Sequence, residues 1–147
     1  MGPRRRARIL AVQALFAYDF TRCGVEDLTG FPWADGDGED KPADIGGDTR
    51  DFAVLLIAGA IGNLDAIDSA IQKQLEHWDM GRLNRLDLAV LRVSVFSLFF
   101  MKDIPPSVVI DEAVDIARDF GTDDSYRFVN GVLDGIRKAM EDRHESA

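Results

Sequence analysis

Arg4, Arg5, Arg6 and Arg8 fall within five consecutive positions, and Tyr18 and Arg22 follow on the same stretch with no Gly or Pro between. Guanidinium groups pair with phosphates through a planar fork of donors, and an aromatic ring stacks on a base. The set therefore matches single-stranded RNA recognition. Arginine at a helix N-terminus also opposes the macrodipole, by about 0.3–1 kcal/mol per charge near the end, so stability alone would not select it. Five arginines against Asp19 leave the first 22 residues at about +4. In a chain of net charge −9 the remaining 125 then carry about −13. The competing reading is a solvated charge run with no ligand.

Catalysis finds little to work with. His77 and His144 are the only histidines, and neither stands in a metal-binding spacing such as HExxH. No GxxxxGK[ST] phosphate loop is present. Asp111 with Asp115, or Glu112 with Asp115, have the spacing of paired acids, but the same helical spacing describes an ordinary solvated face. Asp35, Asp37 and Glu39 begin like a calcium loop, and the match fails at Asp40 and Gly46, where Gly and Glu are needed. No catalytic residue, metal or cofactor is expected. Cys23 is the only cysteine, which excludes an internal disulfide and fits a reducing cytoplasm. No secretory leader or long apolar run is expected, so the protein should be soluble and make no membrane contact.

These residues must be held by helices. From Arg4 to Arg22 the apolar residues Ile9, Val12, Phe16 and Phe20 recur at spacings of three and four, predicting an amphipathic helix buried on that stripe. Arg4, Arg8, Leu15, Tyr18 and Arg22 fall on a second stripe. Residues 30–50 hold five Gly, two Pro and six acids and read as a loop. Asp48 is the expected N-cap of a helix running through Phe52, Leu55 and Leu56 towards Leu75, kinked near Gly62, with Gly59 and Gly62 allowing close contact. A buried helix is expected from about Leu83 to Met101. Another follows Pro105 and Pro106, carrying Val109, Ala113, Ile116, Ala117 and Phe120, and is closed by a left-handed Gly121. A last helix starts near Asp123 or Asp124, bears Val129, Leu133, Ile136 and Met140 on one side, and frays from about 142 to 147. Apolar stripes on helices joined by short connections can only be buried against one another. The expected fold is therefore all-α, a bundle of about five to seven helices forming one domain over 1–147.

The segments RLNRLDLAVLRVSVFSLFF and IPPSVVIDEAVDIARDFGTDDSYRFVNGVLDGI closely resemble the NusB family of transcription antitermination factors, and RRRARILAVQALFAYDF resembles that family's first helix. The most specific pieces are PxxVVIDEAV, ending at Ala113 and Val114, and FVNGVLD, from Phe128 to Asp134. The resemblance implies a non-enzymatic factor that, with the small-subunit ribosomal protein NusE, binds the boxA element of nascent RNA. That complex keeps RNA polymerase elongating through ribosomal RNA operons. By position it assigns Arg4, Arg5, Arg6 and Arg8 to RNA, with Phe128 and its neighbours Asp124 and Asn130. Phe16 and Asp87 match positions near the NusE contact. Tyr18 joins the RNA set on its ring chemistry. A homodimer is a further state the resemblance admits.

Each assignment has a structural counterpart. Phe128 also reads as core, Asp124 as an N-cap, Asn130 with Gly131 as a tight helix contact, Phe16 as part of the buried stripe, and Asp87 as an exposed charge. Phe96 and Ser97 replace the family's usual Tyr-Glu, and Lys102 stands almost alone where other members are more basic. The acids of 30–50 would repel phosphate if they lay near the arginines. The second function class is therefore a protein-interaction module with the same fold and weak or no RNA binding.

Overall fold

The computed structural model describes residues 2–30, 46–76 and 79–146, which form seven α-helices: α1 (Pro3–Thr21), α2 (Val25–Thr29), α3 (Gly47–Gly62), α4 (Leu64–Lys73), α5 (Arg85–Phe100), α6 (Pro106–Phe120) and α7 (Ser125–Ser146), with one 3-10 turn at Met80–Arg82. Residues 31–45, which carry most of the acidic loop and the failed calcium match, lie outside the described residues, as does His77. Among the described residues no single helix is long and apolar enough to cross a membrane.

The apolar run LAVLRVSVFSLFF makes α5 the axis of the bundle. Every residue from Asp87 to Leu98 is buried, and α1, α3, α4, α6 and α7 all pack on it. Asn84 caps the helix by accepting from the Leu86 and Asp87 amides. Leu15, Leu56, Ile57, Leu88, Leu91 and Leu133 are among the fully buried side chains that join α1, α3, α5 and α7. Truncating one such leucine to alanine costs about 2–5 kcal/mol.

α1 is helical as expected but rotated relative to its predicted stripe. Its buried face is Ala7, Leu10, Ala11, Val12, Ala14 and Leu15, while Phe16 is 38% and Phe20 64% exposed. The reason is that α1 packs against α3 and α5 at once, and the small residues Ala7, Ala11 and Ala14 allow that close approach. Large apolar residues overstated which face points inward.

Other local expectations change. The helix expected from Asp48 to Leu75 does bend beside Gly62 as expected, but it breaks there into two helices at Asn63, turned by 74°. Its N-cap is Gly46, with Asp48 inside the first turn. Gly59 is the close contact: a Cβ there would lie 2.1 Å from the Phe96 ring, whereas a Cβ on Gly62 would meet open space. Gly121 is extended rather than left-handed, with φ −96° and ψ −165°. Space requires it to be glycine, since a Cβ would fall 2.5 Å from Ser125 Oγ and 2.6 Å from the Ala117 carbonyl. Among the described residues the left-handed one is Arg22, φ 55°, which closes α1. Helix α7 continues to Ser146, past the point where fraying was expected.

A buried ion network pins α1 and α4 to α5. Arg92 donates to both Asp68 oxygens at 3.0 and 2.9 Å and to Asp19 at 3.3 Å, and Arg85 reaches the other Asp19 oxygen at 3.1 Å. The Arg92 side chain is 5% exposed, so its charge is tolerable only because these carboxylates surround it. The network accounts for Asp19, the lone acid of α1, which leaves the helix strongly basic at its opposite end.

Candidate nucleic-acid interface

Pro3 opens α1 in its first turn, the fixed φ suiting a helix start, and no acid follows to balance the dipole. The four arginines then take different neighbours. Arg4 is exposed and lies over Phe52 of α3, its guanidinium carbon 4.0 Å from the ring centroid. Arg8 approaches the same ring at 5.3 Å but is 9% exposed. Burial pulls its pKa down, Glu112 partly offsetting that, and guanidinium remains charged at neutral pH.

Arg5 is half-buried and crosses to α6, where Nε donates to Glu112 and Nη2 to Asp115 at 2.8 Å. The Glu112 hydrogen bond is the main cause that raises its pKa, against a smaller desolvation effect. Glu112 and Asp115 are thus a clamp for Arg5 rather than the plain solvated face expected. Arg6 is half-buried. The structure brings Arg4, Arg5 and Arg8 together over the α3 and α6 surfaces, with Arg4 offering the most open cation.

Tyr18 does not join them. Fourteen residues at 1.5 Å each place it about 21 Å along the helix from Arg4. It is half-buried, and the Arg22 guanidinium lies 5.0 Å from its ring centroid. The second α1 stripe is therefore not one surface: Leu15 is fully buried and Arg8 nearly so. Phe16 instead stacks edge-on with Phe20, ring centroids 5.0 Å apart, as an exposed aromatic pair near the end of α1.

Asp87 is 7% exposed, not a surface charge. It sits in the first turn of α5 and faces Ser125 at the start of α7. Burial pushes its carboxyl above the usual carboxylate range, while the Ser125 hydroxyl draws it back. Its buried Oδ1 accepts no hydrogen bond among the described residues. Asp124 and Asn130 are exposed, and Phe128 is half-buried and packed against the core. The Asp124 carbonyl accepts from the Phe128 amide, so Asp124 helps open α7 through its backbone. Gly131 makes no tight contact, since a Cβ there would meet nothing within 4 Å. The close approach on α7 is at Gly135, against Gln74.

Sequence reasoning missed the corner where α6 meets α7. There Arg118 lies over Tyr126, its guanidinium carbon 4.7 Å from the ring centroid, with Arg127 at 5.5 Å and Phe120 half exposed. Tyr126 and Arg127 stood beside the quoted FVNGVLD motif, but only the packing of α6 on α7 brings Arg118 to them. Among the described residues no three His, Cys, Asp or Glu side chains are grouped to hold a metal ion.

A family model described as the NusB family matches residues 5–138. The chain belongs to the NusB family. It is 55% identical over 136 residues to the transcription antitermination protein NusB of Treponema pallidum (strain Nichols), a match covering 92% of this chain and 93% of that protein. Among solved structures, NusB of T. maritima superposes with a TM-score of 0.79 at 40% identity, covering 93% of this chain and 92% of that one. A crystal structure of the antitermination factors NusB and NusE in complex with double-stranded RNA superposes with the same TM-score at 28% identity, covering 93% and 97%. The all-α NusB bundle is therefore the fold of this chain.

Proposed function

We propose that this chain is a transcription antitermination factor that binds boxA-type RNA jointly with the ribosomal protein NusE and joins the elongating RNA polymerase complex to support ribosomal RNA transcription. No reaction is catalysed. The observation that carries this reading is the superposition of nearly the whole chain on a NusB bound to NusE and RNA, combined with an arginine-bearing helix end in an otherwise acidic protein.

The arginines divide the work. Arg4, exposed on Phe52, and Arg5, held by Glu112 and Asp115, take phosphates; Arg6 adds charge; Arg8, nearly buried, approaches the same ring. Asp124, Phe128 and Asn130 at the start of α7, and Tyr18 with Arg22, are the remaining RNA candidates. The exposed Phe16–Phe20 pair forms the apolar part of the NusE surface, and Asp87, buried beside Ser125, holds the start of α5 behind it. The cytoplasm, where transcription and ribosomal proteins meet, is the compartment this role requires.

Fluorescence anisotropy of labelled boxA-type single-stranded RNA, with scrambled and duplex RNA as comparisons, tests the reading with and without NusE at two salt concentrations. Preferential binding that tightens with NusE and weakens with salt is expected, because counterion release contributes to affinity. One observation favours the second reading, an interaction module without RNA: Arg5 and Arg8 are already engaged inside the protein. NusE binding with no RNA preference at either salt would select it.

A further inference from the structure

Two cations of α7 are closely paired. Arg137 and Lys138 sit 2.6 and 3.1 Å from the Asp134 carboxylate, and Arg137 also reaches Glu141 at 3.0 Å. The α6–α7 corner differs. Arg118 is exposed, with a single carboxylate among the described residues, Asp115, at a loose 3.7 Å. Arg127 is exposed and pairs with no carboxylate among the described residues; its Nε donates instead to the Tyr126 hydroxyl at 3.0 Å. Tyr126 thus orients two guanidinium groups without neutralising either, the arrangement that presents a cationic plane to a base and donors to a phosphate.

The corner is also continuous with the arginines of α1. Asp115 accepts from Arg5 through one oxygen and faces Arg118 through the other, so a chain of side chains runs from α1 over α6 to α7. On α7, residues two apart point about 200° away from each other. Tyr126 and Asn130, one turn apart, therefore share a flank, and Phe128 points to the other.

We propose that Arg118, Tyr126 and Arg127 form an RNA-contact station in which the two arginines take a phosphate and the stacked guanidinium–tyrosine surface takes a base. A strand held by Arg4 and Arg5 then crosses α6 and follows the Tyr126–Asn130 flank of α7. This inference rests on the RNA-binding reading above. The same stacking also fastens α6 to α7, and a purely structural role would leave RNA affinity and its salt dependence unchanged.

The test is anisotropy of boxA-type single-stranded RNA against the full chain with NusE, comparing wild type, Arg4→Ala, Tyr126→Ala, Tyr126→Phe and the double variant Arg118→Ala/Arg127→Ala. Base–aromatic stacking predicts a loss of roughly fivefold or more for Tyr126→Ala, with Tyr126→Phe close to wild type. Losing two cations near single-stranded phosphates lowers the slope of log affinity against log salt by about 0.7–1.4 in the double variant. Both of its substitutions are at exposed residues, so it decides the matter if Tyr126→Ala unfolds. Loss of affinity in Arg4→Ala with a double variant indistinguishable from wild type overturns this station and leaves RNA binding intact. Absence of RNA binding by wild type overturns both.

Discussion

Arg5 on α1 donates to Asp115 on α6 at 2.8 Å across 110 residues of sequence, and Glu112 one turn earlier accepts from the same guanidinium. The pair fixes Arg5 but also competes with any phosphate for it. Replacing Glu112 with Gln and Asp115 with Asn should raise RNA affinity a few-fold and steepen the salt dependence by about 0.7, the equivalent of one more single-strand phosphate neutralised. Thermal stability should fall little, by about 1 kcal/mol or less, because the pair is partly exposed. Weaker RNA binding in the double variant would mean that the acids position Arg5 rather than restrain it.

Asp19 serves Arg92 and Arg85 together in a buried setting. Asp19→Ala leaves Arg92 with Asp68 alone, and removing one partner from a buried pair costs about 3–5 kcal/mol. Urea unfolding followed by circular dichroism should show this loss. A change under about 1 kcal/mol would place Asp19 in the same class as a surface pair.

Gly59 and Phe96 are complementary in shape. Gly59→Ala drives a methyl into the Phe96 ring and should destabilise by about 1–3 kcal/mol. Phe96→Leu in the same chain should relieve part of that cost, so a double-mutant cycle measured by denaturation should depart from additivity. Additive losses would show that the ring is not what excludes the methyl.

Asp87 predicts a pH effect of definite sign. Burial, offset in part by Ser125, holds its carboxyl above the usual range, so the folded state binds more protons than the unfolded chain. Stability therefore falls as pH rises through the window that opens at the ordinary value of about 3.9 and extends upward to the raised folded one. Asp87→Asn should flatten this segment of a melting-temperature profile and raise stability near neutral pH. An unchanged profile would locate the pH dependence in other carboxylates.

The helices and their order were legible because α6 and α7 carry apolar residues at clear periodicity and α5 is an apolar run too long for a strand, bounded by Asn84, Pro105 and Pro106, and Gly121. The facing of α1 was not. Its contact with two helices uses Ala7, Ala11 and Ala14, which a reading weighted towards Phe16 and Phe20 passes over. The arginine cluster was visible as a charge pattern, but the partners that divide it, Phe52, Glu112 and Asp115, lie on helices far away in sequence. Asp87 read as exposed because nothing local shows that α7 begins beside it, and Tyr126 gained meaning only when α6 brought Arg118 to its ring. Local periodicity specifies helices; the site depends on how they are packed.

The most direct test of the central claim is the salt dependence of boxA-type RNA binding, measured with NusE for wild type and for Arg4→Ala/Arg5→Ala. Phosphate pairing by this helix end predicts weaker binding and a slope shallower by about 1.4, as expected when two single-strand phosphates are no longer neutralised. Equal affinity and equal slope in the two proteins would contradict it, and the arginines would then be a structural feature of the α1–α3–α6 junction.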